Sequence, residues 1–166
     1  MTRWEVVRYE RLAATAQTRA ALALRPHAHA AADVTAQELF AGLRGDDRPT
    51  GTTLADLTRA AQRMRGYDVD VAGIRRAGPD TWLLPGPDAV CLAVTSSPEG
   101  LTAGCTSLDQ ARDHGVAVGV AGAHARTTIV VPDDATAVTV GDERFAAEGH
   151  VVVIPRLVTD WTLAKD

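Results

Sequence analysis

The spacing of apolar residues changes near Gly66, and this change restricts the folds open to the chain. Before Gly66, apolar residues recur every three or four positions, which is typical of amphipathic helices. After it, Tyr67, Val69 and Val71 alternate with aspartates, which is the period of a β-strand. Short β-like runs then follow, separated by turn residues such as those at 85–88. The sequence therefore predicts an α+β chain with its helices before its strands.

The second half of the chain contains eight short runs that predict strands. They occupy 82–84, 89–94, 101–106, 116–120, 127–131, 136–140, 151–154 and 161–163. Many short strands with regular turns favour an antiparallel β-sandwich or a small barrel. One helical turn is expected at 107–114, where Leu108 and Ala111 have helical spacing. We therefore divide the chain into a helical segment, 1–66, and a β-rich domain, 67–166.

The first predicted helix spans about residues 6–24 and is followed by Pro26, whose preceding residue disfavours helical backbone. Opposite its alanine-rich apolar stripe, one aromatic and three cationic residues form a candidate interaction face, namely Trp4, Arg8, Arg11 and Arg19. Such a face can meet an acidic partner or an anionic lipid surface. Because Glu5 and Glu10 dilute its charge, we favour a helix docked on the β-domain, with its arginines in water.

Two shorter helices are predicted from paired cap signals. Thr35 and Glu38 have the spacing of a capping box, in which each side chain binds the other residue's backbone N–H. Thr53 and Asp56 repeat that spacing. Both pairs precede apolar residues at helical intervals, and Gly66 is expected to end the later helix. These signals predict helices over about 35–44 and 53–65.

Charge and composition exclude several classes of partner. The 166 residues carry a net charge of −4, which provides no general electrostatic basis for nucleic-acid binding. Residues 1–80 have 12 Arg and 10 acidic residues, a net +2, whereas residues 81–166 have a net −6. Aromatic residues make up 4% of the chain, so Val, Leu and Ala must supply most of the core. No run approaches the ~20 apolar residues of a membrane helix, so membrane association is expected only through an additional anchor.

Cys91 and Cys105 lie in consecutive predicted strands joined by a turn around Pro98. Folding this hairpin pairs residues whose numbers add to about 196, and the two cysteine numbers add to 196. The cysteines are therefore expected to face each other, and a disulfide between them would indicate an oxidising compartment. The alternative is a pair of buried free thiols in a cytosolic protein.

Other chemistry-bearing residues give weaker signals. His27 and His29 are two apart and could share a metal ion in an extended segment, but two ligands alone do not make a site. Asp133 and Asp134 follow a proline, and we interpret them as a turn. The sequence contains no nucleophile motif, P-loop or zinc-protease motif. No catalytic residue, metal or cofactor is therefore predicted.

The second half of the chain also carries short motifs that resemble a known group of proteins. These motifs are Trp82-Leu-Leu-Pro-Gly86, Ala89-Val-Cys-Leu-Ala93, Ala103-Gly-Cys-Thr-Ser107 and Val131-Pro-Asp-Asp-Ala-Thr-Ala-Val138. Over residues 80–140 they are similar to the extracytoplasmic domain of membrane-anchored or secreted actinobacterial proteins of unknown function. Asp134 stands where that group usually has glycine. The resemblance implies a disulfide-bearing β-domain at or beyond the cell envelope, and it implies no catalytic residues.

Three functional hypotheses follow from these observations. The first is a non-enzymatic, extracytoplasmic interaction or structural module, stiffened by a Cys91–Cys105 disulfide and acting on a protein partner. The second is a cytoplasmic regulatory or adaptor protein that binds a partner through its N-terminal helices. It is favoured by the residues after Met1, which lack the apolar region of a signal peptide. The third is an enzyme of unidentified class.

Overall fold

A computed structural model describes residues 34–96 and 100–166 of the chain. The first predicted helix, at 6–24, lies outside these residues. The candidate interaction face also lies outside them, with its residues Trp4, Arg8, Arg11 and Arg19. The same holds for the two candidate metal ligands, His27 and His29. The helical arrangement predicted for 1–33 and the role of that face therefore stay predictions.

The described helices are short, apart from one. The α-helices are α1 (Ala36–Leu39), α2 (Gly51–Arg63) and α3 (Leu108–His114), and the 3-10 helices are Ala41–Arg44, Arg65–Tyr67 and Val71–Gly73. The turn of helix predicted at 107–114 is confirmed as α3, which begins after Ser107, whose side chain accepts a hydrogen bond from the backbone N–H of Gln110.

One predicted capping box is confirmed, and the other is wrong. The backbone N–H of Glu38 donates to the Thr35 hydroxyl at 3.3 Å, and the backbone N–H of Thr35 donates to the Glu38 carboxylate at 2.7 Å. These interactions with Thr35 hold the pKa of Glu38 below its ordinary value. Helix α2 instead begins at Gly51, two residues before the predicted cap, and its N-cap Thr50 makes no side-chain cap bond.

All eight predicted runs contribute to strands, and two further strands are present. The ten strands of the described residues are β1 (Arg75–Gly78), β2 (Thr81–Pro85), β3 (Ala89–Ser96), β4 (Gly100–Ser107), β5 (Val116–Val120), β6 (Arg126–Val130), β7 (Ala135–Val140), β8 (Glu143–Ala146), β9 (Val151–Ile154) and β10 (Thr162–Lys165). Strands β1 and β8 have weak apolar patterns, and for this reason the sequence did not reveal them.

The strand suggested by the alternation after Gly66 does not form. Asp68 has a left-handed backbone, with φ of 47°, and it ends the first of two 3-10 helices in this segment. The carboxylate of Asp70 then accepts a hydrogen bond from the backbone N–H of Ala72 at 3.0 Å. Aspartate favours such local turns because its side chain bonds nearby backbone groups. The alternating valines thus lie in turns that pack against a sheet, and alternation alone predicted the wrong structure.

The strands form three antiparallel sheets, ordered β1-β2-β3-β4, β5-β6-β9 and β10-β7-β8. Helices and antiparallel strands together confirm the α+β prediction for the described residues. Helices α1 and α2 both pack on the first sheet. The predicted domain boundary at residue 66 stays a prediction. No helix in the described part of the chain is both long enough and apolar enough to span a membrane.

Both faces of the four-stranded sheet are covered, and each belongs to a different apolar core. One face, here called the β5 face, presents Leu83, Val90, Leu92 and Val94 to α1, α3 and β5. The opposite face, here called the α2 face, presents Trp82, Leu84, Cys91, Ala93, Ala103 and Cys105 to α2 and the turns that follow it. A strand buried on both faces reads as a continuous apolar run, as β2 does.

A third core fills the space between the other two sheets. Its large members are Ile129, Val138, Val152, Ile154 and Trp161. The indole N–H of Trp161 donates to the backbone carbonyl of His114 at 2.9 Å, and this bond ties the C-terminal part of the chain to the end of α3. The first two cores, one on each face of the sheet, hold the hairpin of β3 and β4 in place.

Candidate functional site

The hairpin of β3 and β4 carries the candidate site. Its register pairs Ala89 with Ser107 at one end and Ser96 with Gly100 at the other, without a bulge. Cys91 lies directly opposite Cys105, with their Cα atoms 4.0 Å apart, and the two form a disulfide. The predicted pairing is therefore confirmed, and the alternative of two free thiols is wrong for this structure.

The disulfide is buried beneath the end of α2. Cys91 is 1% exposed, and Cys105 is partly buried in the same apolar core. The Sδ atom of Met64 lies 3.2 Å from the Sγ atom of Cys105. Sulfur is polarisable and fits irregular gaps, so a thioether is suited to cover a disulfide. Because Cys91 is 1% exposed and Cys105 is partly exposed, Cys105 is the more accessible residue of the pair.

The chain after α2 fixes Met64 in this position. The backbone N–H of Met64 donates to the carbonyls of Ala60 and Ala61, which ends the helix. The backbone N–H of Asp70 then donates to the Pro85 carbonyl at 2.8 Å, which anchors the following turns to the end of β2. Gly86 is needed beside this anchor, because any Cβ there would collide with the carbonyl of Tyr67.

On the opposite face, Asp133 holds the helices in place. One of its carboxylate oxygens accepts from the backbone N–H of Ala41 at 2.7 Å, and the other from the Arg44 guanidinium at 2.6 Å. Its own N–H donates to the carbonyl of Leu39 at 3.0 Å. The turn predicted at Asp133 and Asp134 is confirmed, but its contact with residues about 90 positions earlier had no signal in the sequence.

A small crevice lies between the 3-10 helix Ala41–Arg44 and the neighbouring strands. It is lined by residues of four elements: Phe40, Ala41, Gly42, Ala77, Leu83, Val130, Val131, Gly149 and His150. Its interior has room for about one water molecule. Sites for small molecules typically have volumes of about 300–1,000 Å³. The crevice is therefore too small for an ordinary metabolite in this conformation.

The remaining polar groups do not converge on a second site. Within residues 34–96 and 100–166, no three His, Cys, Asp or Glu side chains are arranged to hold a metal ion. Every buried side-chain nitrogen or oxygen in that part of the chain has a hydrogen-bond partner. The chemistry offered by this arrangement is that of the disulfide, which can restrain two strands or exchange with thiols.

Comparison with known proteins adds no relative: the chain matches no family model, no curated protein and no solved structure.

Proposed function

We propose that this protein is a non-enzymatic, extracytoplasmic interaction or structural module whose central hairpin is stiffened by the Cys91–Cys105 disulfide. The observation that carries the proposal is the bridge itself, which joins β3 to the edge strand β4 of a sheet covered on both faces. A cross-link of this kind restrains the unfolded chain and thereby stabilises the folded hairpin.

The compartment follows from the redox chemistry of cysteine. Disulfides persist in oxidising surroundings, and reducing systems keep most cytosolic thiols free. The bond bridges a pair that the hairpin register already places face to face. An extracytoplasmic location, which is also what the proposed motif resemblance over residues 80–140 implies, is consistent with such a bond. We propose the finer architecture, a β-sandwich or small barrel, as the scaffold.

The proposed partner is a protein, and the proposed contact is the candidate face of Trp4, Arg8, Arg11 and Arg19. Its three arginines give the face a net positive charge, which favours a partner with an acidic surface. The second half of the chain differs, since residues 81–166 carry a net charge of −6. An aromatic residue beside arginines is also a common composition for the energetic centre of an interface.

The compartment is tested by the redox state of the full chain in its native cells. Thiols are alkylated at lysis in denaturant and without reductant, so that buried free thiols also react, and the intact mass is then measured. We expect both cysteines to be unlabelled because they are bridged. A chain in which both are alkylated would refute the extracytoplasmic module and favour the cytoplasmic adaptor.

The partner contact is tested by chemical cross-linking of the full chain in those cells, followed by mass spectrometry. Deleting residues 1–66 is unsuitable, because α1 and α2 contribute to two cores. The variant is therefore Trp4→Ala with glutamate at Arg8, Arg11 and Arg19. We expect it to lose the cross-linked protein. The matched control places glutamate at three exposed arginines, Arg48, Arg59 and Arg144, and should retain it. Equal recovery by both variants would overturn the proposed contact.

A further inference from the structure

Helix α2 covers the disulfide, and among the described residues it packs on the sheet through a small set of side chains. Its buried residues are Leu57, Ala60 and Ala61, followed by Met64. Two of these four are alanines, which bury little apolar area. Thr50 at its N-cap makes no side-chain bond, whereas a capping side chain commonly stabilises a helix.

The sequence of α2 also weakens it from within. The hydroxyl of Thr58 donates to the carbonyl of Leu54 at 2.7 Å, a bond that slightly destabilises and bends helices. Both side chains of the Arg59–Asp56 ion pair are exposed, so the pair contributes little to the stability of the helix. Regions with few buried apolar contacts open locally at lower free energy than the whole protein unfolds. Helix α2 therefore has the properties of a cover that opens before the sheet does.

We propose that the Cys91–Cys105 bond is a site of thiol–disulfide exchange with a dithiol reductant, and that opening of α2 at Met64 controls access to it. Cys105 is the attacked sulfur, since Cys91 is 1% exposed. The thioether of Met64, 3.2 Å from the Cys105 sulfur, occupies space that an incoming thiolate needs. This inference goes beyond the proposed function and does not depend on the identity of a partner.

The exchange is balanced as a transfer of two electrons and two protons. A thiolate of the dithiol bonds to the Cys105 sulfur, and the Cys91 sulfur leaves with the bonding electron pair and takes up a proton. The second thiol of the reductant then attacks the mixed disulfide and releases Cys105 as a thiol. The reductant ends as a disulfide, and the protein ends with two thiols beneath α2.

The test measures the rate at which excess dithiothreitol reduces the purified full chain, followed by alkylation and intact mass. We expect Met64→Ala to raise this rate about tenfold, because it weakens the cover and exposes the sulfur. Met64→Leu should stay within about threefold of wild type, because it keeps the bulk of the side chain.

The matched control is Leu39→Ala. Leu39 is buried to the same extent as Met64, at 8% exposure, but it packs on the opposite face of the sheet. We expect this variant to stay within about threefold of wild type, because a local opening of α2 does not involve α1. If Leu39→Ala matches the acceleration of Met64→Ala, the bond is reached through global unfolding and the proposal is wrong. A Met64→Ala rate equal to wild type would refute it as well.

A second measurement keeps the proposal testable if Met64→Ala does not fold. In wild type, the reduction rate is measured in urea concentrations below the unfolding transition. Opening of one helix exposes little surface, so we expect the logarithm of the rate to rise with a slope well under half of the equilibrium m-value. A slope equal to the full m-value would show that only the unfolded chain reacts, and would overturn the role of α2. The milder variant Met64→Val should then accelerate reduction several-fold, and an unchanged rate would refute shielding by Met64.

Discussion

The two faces of the four-stranded sheet are covered in different ways. On the β5 face, α1, α3 and strands of a second sheet supply a core of large residues, and Asp133 adds hydrogen bonds across the chain. On the α2 face, one 13-residue helix and the turns after it form the cover, over a covalent bond between β3 and β4. Within residues 34–96 and 100–166, the first cover combines several helices and strands, and the second consists of one helix and the turns after it.

This difference indicates which parts of the molecule move together. A cover made of several elements opens only when most of the core opens, because its contacts are cooperative. A single helix joined through loops can lift while the sheet stays paired. The disulfide restrains β3 and β4 beneath the end of α2. We therefore expect equivalent substitutions on the two faces to lower the free energy of unfolding by different amounts.

The largest effect is expected from cavities in the two cores. Leu92 on the β5 face and Leu57 on the α2 face are both 0% exposed. We expect Leu92→Ala to lower the free energy of unfolding by about 4 kcal/mol and Leu57→Ala by about 2 kcal/mol, because α2 can relax into its cavity. Urea denaturation measures both values. If Leu57→Ala lowered the free energy of unfolding as much as Leu92→Ala or more, the two faces would not differ in how firmly they are covered.

The next effect is that of the disulfide. Cys91 and Cys105 are 14 residues apart, and closing a loop of this length stabilises a protein by about 3 kcal/mol in the chain-entropy model. We expect the double variant Cys91→Ala with Cys105→Ala to lose about that amount. Reduced wild type is the control and should agree with the variant within about 1 kcal/mol. A loss below about 1 kcal/mol would mean that the bond does not stabilise the hairpin.

A smaller effect tests the hydrogen bonds on the β5 face. Asp133→Ala removes the acceptor for the Ala41 N–H and the ion pair with Arg44, in which the two side chains are 51% and 31% exposed. We expect a loss of about 1 kcal/mol, allowing for solvent screening of the pair. Asp134→Ala removes the neighbouring carboxylate, which pairs with Lys165, and should cost at most about 0.5 kcal/mol. Equal losses for the two variants would show that the Asp133 carboxylate does not hold the 3-10 helix Ala41–Arg44.

The smallest effect concerns the cap of α1 and its pH dependence. The pKa of Glu38 is lowered, so its ionised form stabilises the folded state at pH values above its ordinary pKa of 4.5. This contribution is lost as the pH falls through the lower pKa of the folded state. We expect Glu38→Ala to lower the urea midpoint at pH 7 and to have a smaller effect near pH 3. An effect that does not change with pH would rule out the carboxylate as its cause.

Local signals predicted the site better than they predicted its surroundings. Hairpin register depends on residues close in the chain. The positions of Cys91 and Cys105 were therefore sufficient to place them opposite each other. The capping box of Thr35 and Glu38 was correct for the same reason. The alternation at Tyr67, Val69 and Val71 was misleading, because aspartates that form local turns also produce an alternating pattern.

The sequence by itself determined the α+β class of the described residues, the β3–β4 register and the placement of Cys91 opposite Cys105. Each of these depends on the spacing of residues that are neighbours in the chain. Only the tertiary structure decided that Met64 covers Cys105, at a separation of 41 residues, and that Asp133 binds Ala41, at a separation of 92. The physical reason is that such contacts depend on how whole elements pack in three dimensions, and no short-range periodicity encodes that packing.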